Sequence, residues 1–189
     1  MVQLAQSIPI IVIDVQVAFN DPSWGRRNNY DAENKISKLI HSWRENKRPV
    51  IFVQHVSEKE ESVFYKQGDM VQFKEEAQPE DGEVVIRKSV NSAFIGTDLL
   101  DRLKAMNCER VVIVGLTTNH CVETTTRMAG NYGFSPILVE DACATFDRHG
   151  LDGTNFTAEQ IHEMTLVNLN EEFAEIVTTE QLLRQFSTP

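Results

Sequence analysis

Three residues of types that do chemistry stand where apolar runs give out: Asp14 in PIIVIDV (9–15), Lys88 in EVVIRK (83–88) and Cys121 in RVVIVGLTTNHCVETTTR (110–127). A thiol becomes a nucleophile once its proton has a destination. A carboxylate beside it can take that proton and return it to a leaving amine, while an ammonium nearby orients the carboxylate and favours thiolate over thiol. Cys121 is the most informative of the three. Gly115 ends an apolar run, and Thr117, Thr118 and Asn119 are turn and capping residues. Cys121 is therefore expected in the first turn of a new helix, facing the positive end of the helix dipole and free N–H groups that would favour thiolate and could bind an oxyanion. Plainer readings stand beside these: Cys121 as a small core hydrophobe, Asp14 as a loop cap, Lys88 as a solvated cation.

To bring such residues together the chain needs a sheet. Val111 to Val114 are four β-branched apolar residues in succession, which suits a strand covered on both faces. PIIVIDV (9–15), PVIFVQH (49–55), EVVIRK (83–88), SPILVE (135–140) and EIVT (175–178) supply five more strands. Helical periods alternate with them. Ile36, Leu39, Ile40 and Trp43 follow Asp31 as N-cap, and Leu99, Leu103 and Met106 follow Thr97 and stop at Asn107. The Cys121 helix ends at Gly130 and Gly133, and Thr157 with Gln160 and Thr178 with Gln181 form capping boxes for two further helices, to about Phe173 and through Phe186. Strict alternation predicts a mostly parallel, doubly wound α/β sheet of six strands with helices on both faces, its ligand edge at the carboxyl ends of the strands. Three longer connections remain. Residues 16–30, with Trp24, Arg26, Arg27 and Tyr30, suit a pocket wall or an oligomer contact. Residues 57–82, with the run EKEE, read as a solvated charged excursion ahead of a cover over the site, and residues 141–156 read as a loop.

With 189 residues, 18 Lys and Arg against 28 Asp and Glu, and a net charge of −10, the chain reads as one domain (1–189) with no basic stripe for nucleic acid or anionic membrane. A small uncharged or cationic ligand fits that balance. Cys108, Cys121 and Cys143 are odd in number and widely spaced, and MVQLAQSIPI lacks a charged segment leading into an apolar stretch, so a cytoplasmic protein with reduced thiols is expected. No apolar run approaches the ~18 residues of a membrane span.

The wording around the three residues, DVQVAF, RKSVNSAF and VGLTTNHCVETTTRMA, resembles the isochorismatase-like cysteine hydrolases, a superfamily that includes nicotinamidases, N-carbamoylsarcosine amidases, biuret hydrolases and ureidoacrylate amidohydrolases. The resemblance runs from about Pro9 to Phe186. Its most specific part is the G-x-T-T-x-x-C-V pattern from Gly115 to Val122. It implies a three-layer α/β/α sandwich, Cys121 as nucleophile, Asp14 as general base and acid, Lys88 as the third catalytic residue, and a cis peptide at Leu116–Thr117. The N–H groups of Thr117 and Cys121 would form the oxyanion hole. The implied reaction cleaves a C–N bond of a small amide or ureide through a thioester, with no cofactor, in a homodimer or homotetramer. Gln16, Phe19, Asn91 and His120 are candidate substrate contacts.

Metal-binding nicotinamidases carry Asp-x-His and a further His after the second strand, where this chain has Val53, Gln54 and His55 and no histidine again until His120. The five histidines show no ligand spacing, so no metal is expected and nicotinamide is disfavoured. Isochorismate is disfavoured too, because enzymes acting on that vinyl ether typically lack the cysteine. Two rivals from other classes stand. A phosphoacceptor receiver domain explains Cys121 poorly, and a catalytically silent scaffold or small-molecule binding protein of the same family has no evident reason to keep all three residue types.

Overall fold

The computed structural model describes residues 8–186; the reading of the leading segment 1–7 lies outside the described residues. Strands β1 (Ile10–Ile13), β2 (Val50–His55), β3 (Val84–Lys88), β4 (Arg110–Leu116), β5 (Ser135–Ala144) and, late in the chain, β8 (Glu175–Val177) form one sheet in the order β3-β2-β1-β4-β5-β8. Every pairing in it is parallel. A two-residue antiparallel hairpin, β6 (Arg148–His149) with β7 (Asn155–Phe156), stands apart from it.

Because successive strand residues face opposite sides, the apolar runs feed two cores. Ile10, Val12, Phe52, Val112, Val114 and Val139 meet Ile36, Leu39, Ile40 and Trp43 of α1 (Ala32–Glu45) and Leu182 of α5 (Thr179–Phe186). On the other face Ile11, Ile13, Val53, Ile113 and Leu138 meet α2 (Leu99–Ala105), α3 (Glu123–Asn131) and α4 (Ala158–Leu169) through Leu99, Leu103, Ala129, Leu166 and Leu169. The result is a three-layer α/β/α sandwich. Both capping boxes form: Thr157 and Gln160 exchange side-chain and backbone bonds, as do Thr178 and Gln181. No helix among the described residues is long and apolar enough to cross a membrane.

Three local expectations change. Strand β5 runs on to Ala144 rather than ending at Glu140, because β4 slips its register between Ile113 and Gly115 and then pairs Gly115 with Cys143 and Leu116 with Ala144. The segment 57–82 is an irregular, folded stretch with short 3-10 turns at Asp69–Val71 and Glu75–Ala77; it buries Val71, Phe73, Lys74 and Ala77 instead of remaining solvated. The Asp31 carboxylate does not cap α1 but accepts from Asn34 Nδ2.

The strand order places the reversal of winding between β1 and β4, the place where an open parallel sheet leaves a crevice at its carboxyl edge. There the strands approach so closely that a Cβ on Gly115, whose φ is +130°, would stand 2.0 Å from the Ile13 carbonyl oxygen. Only glycine fits.

Candidate active site

Asp14 follows the last residue of β1, Lys88 ends β3, and Cys121 lies just beyond β4, so the sheet itself brings the three to one edge. Asp14 adopts φ +52°, a turn-like conformation that an aspartate tolerates better than most residues. Both members of the ion pair are buried, with Lys88 Nζ 2.6 Å from Asp14 Oδ2. Asp14 Oδ1 is also buried and, among the described residues, has no hydrogen-bond partner. The Cys121 sulfur, a carboxylate oxygen of Asp14 and a ring nitrogen of His55 all lie within 4.8 Å of one another.

His55, at the end of β2, is the member that sequence reasoning passed over as a lone histidine. Its Nδ1 lies 3.1 Å from Lys88 Nζ. An ammonium can only donate, so Nδ1 is the acceptor and the ring carries its proton on Nε2. Burial, and next the Lys88 charge, push the His55 pKa down to about 4, which keeps the ring neutral at pH 7. The missed signal was its place at a strand's carboxyl end, shared with Lys88. Asp14, His55 and Cys121 are residue types that could ligate a cation, a grouping that linear histidine spacing could not reveal. Lys88, however, already occupies lone pairs of Asp14 and His55.

Cys121 belongs to a π-helical turn, Thr118–Val122, rather than to the first turn of an α-helix. The Thr117 carbonyl accepts from the N–H groups of His120 and Val122, at 3.1 and 3.3 Å. The Leu116–Thr117 peptide is cis. The thiol itself departs from the expectation of a favoured thiolate. Burial, and next the neighbouring Asp14 charge, push its pKa up to about 12, with Lys88 offsetting only part. At rest Cys121 is therefore a thiol. Asp14 is shifted upward as well, since burial outweighs the attraction of Lys88.

A cavity of about 150 Å³ opens onto this cluster, lined by Asp14, Phe19, Trp24, His55, Phe64, Asn91, Thr117, His120 and Cys121. Of the four candidate substrate contacts, Phe19, Asn91 and His120 line it. Asn91 Oδ1 is 3.9 Å from the Cys121 sulfur, and His120 Nδ1 is 3.3 Å from Thr117 Oγ1. Gln16 does not. Its side chain is buried as a clasp, with Nε2 donating to the carbonyls of His55 and Val71 and Oε1 accepting from the His55 N–H, which leaves no polar atom for a ligand.

The aromatic wall comes from two connections. Phe19 and Trp24 pack with ring centroids 5.1 Å apart, and Phe64, delivered by the segment read as a solvated excursion, meets Phe19 at 5.3 Å and the His55 ring at 5.0 Å. The 16–30 loop is held by Trp24 Nε1 on the Ala18 carbonyl, by Asn29 Nδ2 on the carbonyls of Glu140 and Cys143, and by Arg27 on Glu33. Glu33 also receives Lys74 at 2.6 Å, so one buried carboxylate ties both wall segments to α1.

The sequence model of the isochorismatase domain matches residues 9–181. The chain belongs to the isochorismatase family. It is 48% identical to the uncharacterized isochorismatase family protein YrdC of Bacillus subtilis over 177 residues, 94% of this chain and 95% of that one. A crystal structure of an isochorismatase-family protein from Chromobacterium violaceum superposes with a TM-score of 0.93 at 38% identity, covering 95% of this chain and 93% of the other. Among relatives with amidohydrolase names, the maleamate amidohydrolase of Pseudomonas putida is 30% identical over 113 residues, 60% of this chain and 48% of that enzyme.

Proposed function

We propose that the protein is a cysteine amidohydrolase that opens a C–N bond of a small amide or ureide through a thioester. The observation that carries this reading is a cysteine thiol beside a buried carboxylate whose second oxygen has no partner among the described residues, both lining a cavity sized for a few heavy atoms. Membership of a family with amidohydrolase relatives supports it.

In this reaction Cys121 Sγ attacks the substrate carbonyl carbon as its proton passes to Asp14. A thiol with a pKa of about 12 gains nothing from ionising beforehand, so attack and proton transfer are coupled. The oxyanion of the tetrahedral adduct accepts from the N–H groups of Cys121 and Thr117. Asp14 hands its proton to the departing nitrogen, ammonia or an amine leaves, and the acyl group stays on sulfur as a thioester. A water then loses a proton to Asp14 and attacks the thioester carbon; the carboxylic acid departs and the sulfur recovers its proton. Lys88 stays charged and holds Asp14 by one oxygen, and His55, neutral, holds Lys88 in place.

The test is ammonia release from a panel of small primary amides and ureides, with intact-mass measurement of the protein after rapid acid quench. Wild type should show a mass increase equal to the acyl group, and Cys121→Ala should fold, lose turnover and show no adduct. Appreciable turnover by Cys121→Ala would sink the covalent route.

A further inference from the structure

His162 on α4 takes no part in the chemistry derived above, yet it is buried on the face that α4 turns to the rest of the protein. That face carries Ala158, His162, Thr165, Leu166 and Leu169 at helical spacing, so two polar side chains interrupt a stripe that apolar residues would fill at less cost. Both bond to the turn that bears Cys121. His162 Nδ1 lies 2.9 Å from Thr118 Oγ1, a hydroxyl itself buried, and Thr165 Oγ1 donates to Glu123 Oε2 at 3.4 Å. Burial pushes the His162 pKa down to about 4, against the pull of Glu159, so the ring is neutral at pH 7 and the bond joins uncharged partners.

The turn is of a kind that needs holding. Around Thr118–Val122 the Val122 N–H reaches back to the Thr117 carbonyl and the Glu123 N–H to the Thr118 carbonyl, each spanning five residues. Such a π-helical turn holds one residue more than an α-helical one, is rare, and occurs mostly as a single turn, frequently at functional sites. Tightening it to the α-helical register would rotate the residues ahead of it against those behind by about 100°. The Cys121 sulfur, which now lies within 4.8 Å of ligating atoms of Asp14 and His55, would swing away from both. The two bonds from α4 fall on either side of Cys121, at Thr118 before it and Glu123 after it. Asn119 is tied separately to Thr145, whose Oγ1 donates to its Oδ1 at 2.5 Å, and Glu123 to Arg127 at 2.7 Å, so loss of one α4 bond lets the turn tighten without freeing it altogether.

We infer that His162 is a positioning residue: through Thr118 it keeps the turn wide, and so holds the Cys121 sulfur beside the Asp14 carboxylate. The inference rests on the amidohydrolase reading for what Cys121 does there, whereas the place of the sulfur is a separate matter with a separate test. Covalent reach sharpens it. The amide atoms of asparagine stand as many bonds from Cβ as histidine Nδ1, and those of glutamine as many as Nε2. His162→Asn therefore keeps the bond to Thr118, and His162→Gln overshoots it. Thr118→Val removes the hydroxyl at nearly constant shape.

Two measurements decide the matter, on His162→Gln, His162→Asn and Thr118→Val, with thermal melts to establish folding; should His162→Gln or Thr118→Val fail to fold, the other carries the test. The first is the rate of iodoacetamide alkylation of Cys121 at pH 8, read by peptide mass spectrometry. A sulfur moved away from the Asp14 charge loses about one to two pH units from its midpoint, so alkylation should be about 3- to 10-fold faster in His162→Gln and Thr118→Val. Cys108 and Cys143 should keep their rates, and His162→Asn should match wild type. A wild-type or slower rate in either folded variant, a rise shared by all three cysteines, or a rise that His162→Asn shows as well overturns the inference. The second is the burst of p-nitrophenolate from p-nitrophenyl acetate, corrected for the rate of Cys121→Ala. His162→Gln and Thr118→Val should lose about 10- to 100-fold in the saturating burst rate, with the half-saturating ester concentration within about threefold of wild type, and His162→Asn should recover most of the loss. A loss confined to the half-saturating concentration, or no loss, overturns the inference. If Cys121→Ala cleaves the ester as fast as wild type, the amidohydrolase reading fails and the alkylation rates alone judge the place of the sulfur.

Discussion

Replacing Asp14 by Asn should make Cys121 easier to alkylate while destroying turnover, an outcome opposite to that expected if the carboxylate simply activated the thiol at rest. In the structure the thiol's pKa is held up at about 12 by burial and then by the Asp14 charge, whose nearest relevant oxygen lies within 4.8 Å of the sulfur. At that separation and an effective dielectric constant of about 20, the repulsion between thiolate and carboxylate is about 3.5 kcal/mol, equivalent to roughly 2.5 pH units. Neutralising Asp14 removes it, and Lys88, still donating to His55 Nδ1, then acts on the sulfur unopposed. The assay is the rate of iodoacetamide alkylation against pH, read by peptide mass spectrometry with Cys108 and Cys143 as internal controls. Wild-type Cys121 should stay slow through pH 8. In Asp14→Asn the midpoint should fall by about 2.5 pH units, raising the thiolate fraction at pH 8 ~300-fold and the rate roughly 20-fold, since a less basic thiolate is also a weaker nucleophile. Amide turnover should drop about 10²- to 10⁴-fold, because no group remains to carry the proton to the leaving nitrogen. An unchanged or higher midpoint in Asp14→Asn, or a wild-type midpoint below that of a free thiol, would refute the argument that the carboxylate keeps the resting thiol protonated.

Other consequences concern the scaffold. Gly115→Ala forces a Cβ to within 2.0 Å of the Ile13 carbonyl oxygen at φ +130°, so chemical denaturation should show a loss of about 3 kcal/mol or more, and unchanged stability would mean the strands part easily there. Gln16→Ala removes one acceptor and two donors that clasp the ends of β1 and β2 to the 57–82 segment; a loss of about 2–4 kcal/mol is expected, with faster amide exchange at His55. Glu33→Ala strands Arg27 and Lys74 without their shared carboxylate, for a cost of about 3–5 kcal/mol. The same group predicts a pH effect. Burial alone would raise the Glu33 pKa, but the bonds from Arg27 and Lys74 win and hold it below 4.5. Its stabilisation is therefore present above the unfolded carboxylate's pKa and is lost as pH falls through the depressed folded value. Melting temperatures of wild type and Glu33→Ala should converge on acidification below pH ~4.5; a gap of constant size would place the effect in packing alone.

Much of this architecture is local information. Apolar runs of the length of Val111 to Val114, helical periods such as Ile36, Leu39, Ile40 and Trp43, and the paired caps at Thr157 and Thr178 are set by neighbours a few residues apart. The alternation of strand and helix then fixes handedness and a parallel sheet, and with them the edge where Asp14, Lys88 and Cys121 meet. What the chain could not announce are quantities that depend on distance and burial between remote segments. Gln16 looked like a ligand contact, yet the end of β2 and the 57–82 segment engage both of its N–H groups and its side-chain carbonyl oxygen. Phe64 sits in a polar stretch whose composition says solvent, but folding carries it against Phe19 and His55. The protonation of Cys121 shows the difference most clearly. Its place at a helix start speaks for thiolate, and only the tertiary structure, by burying the sulfur next to a carboxylate from another strand, makes desolvation and repulsion prevail and leaves the proton on sulfur.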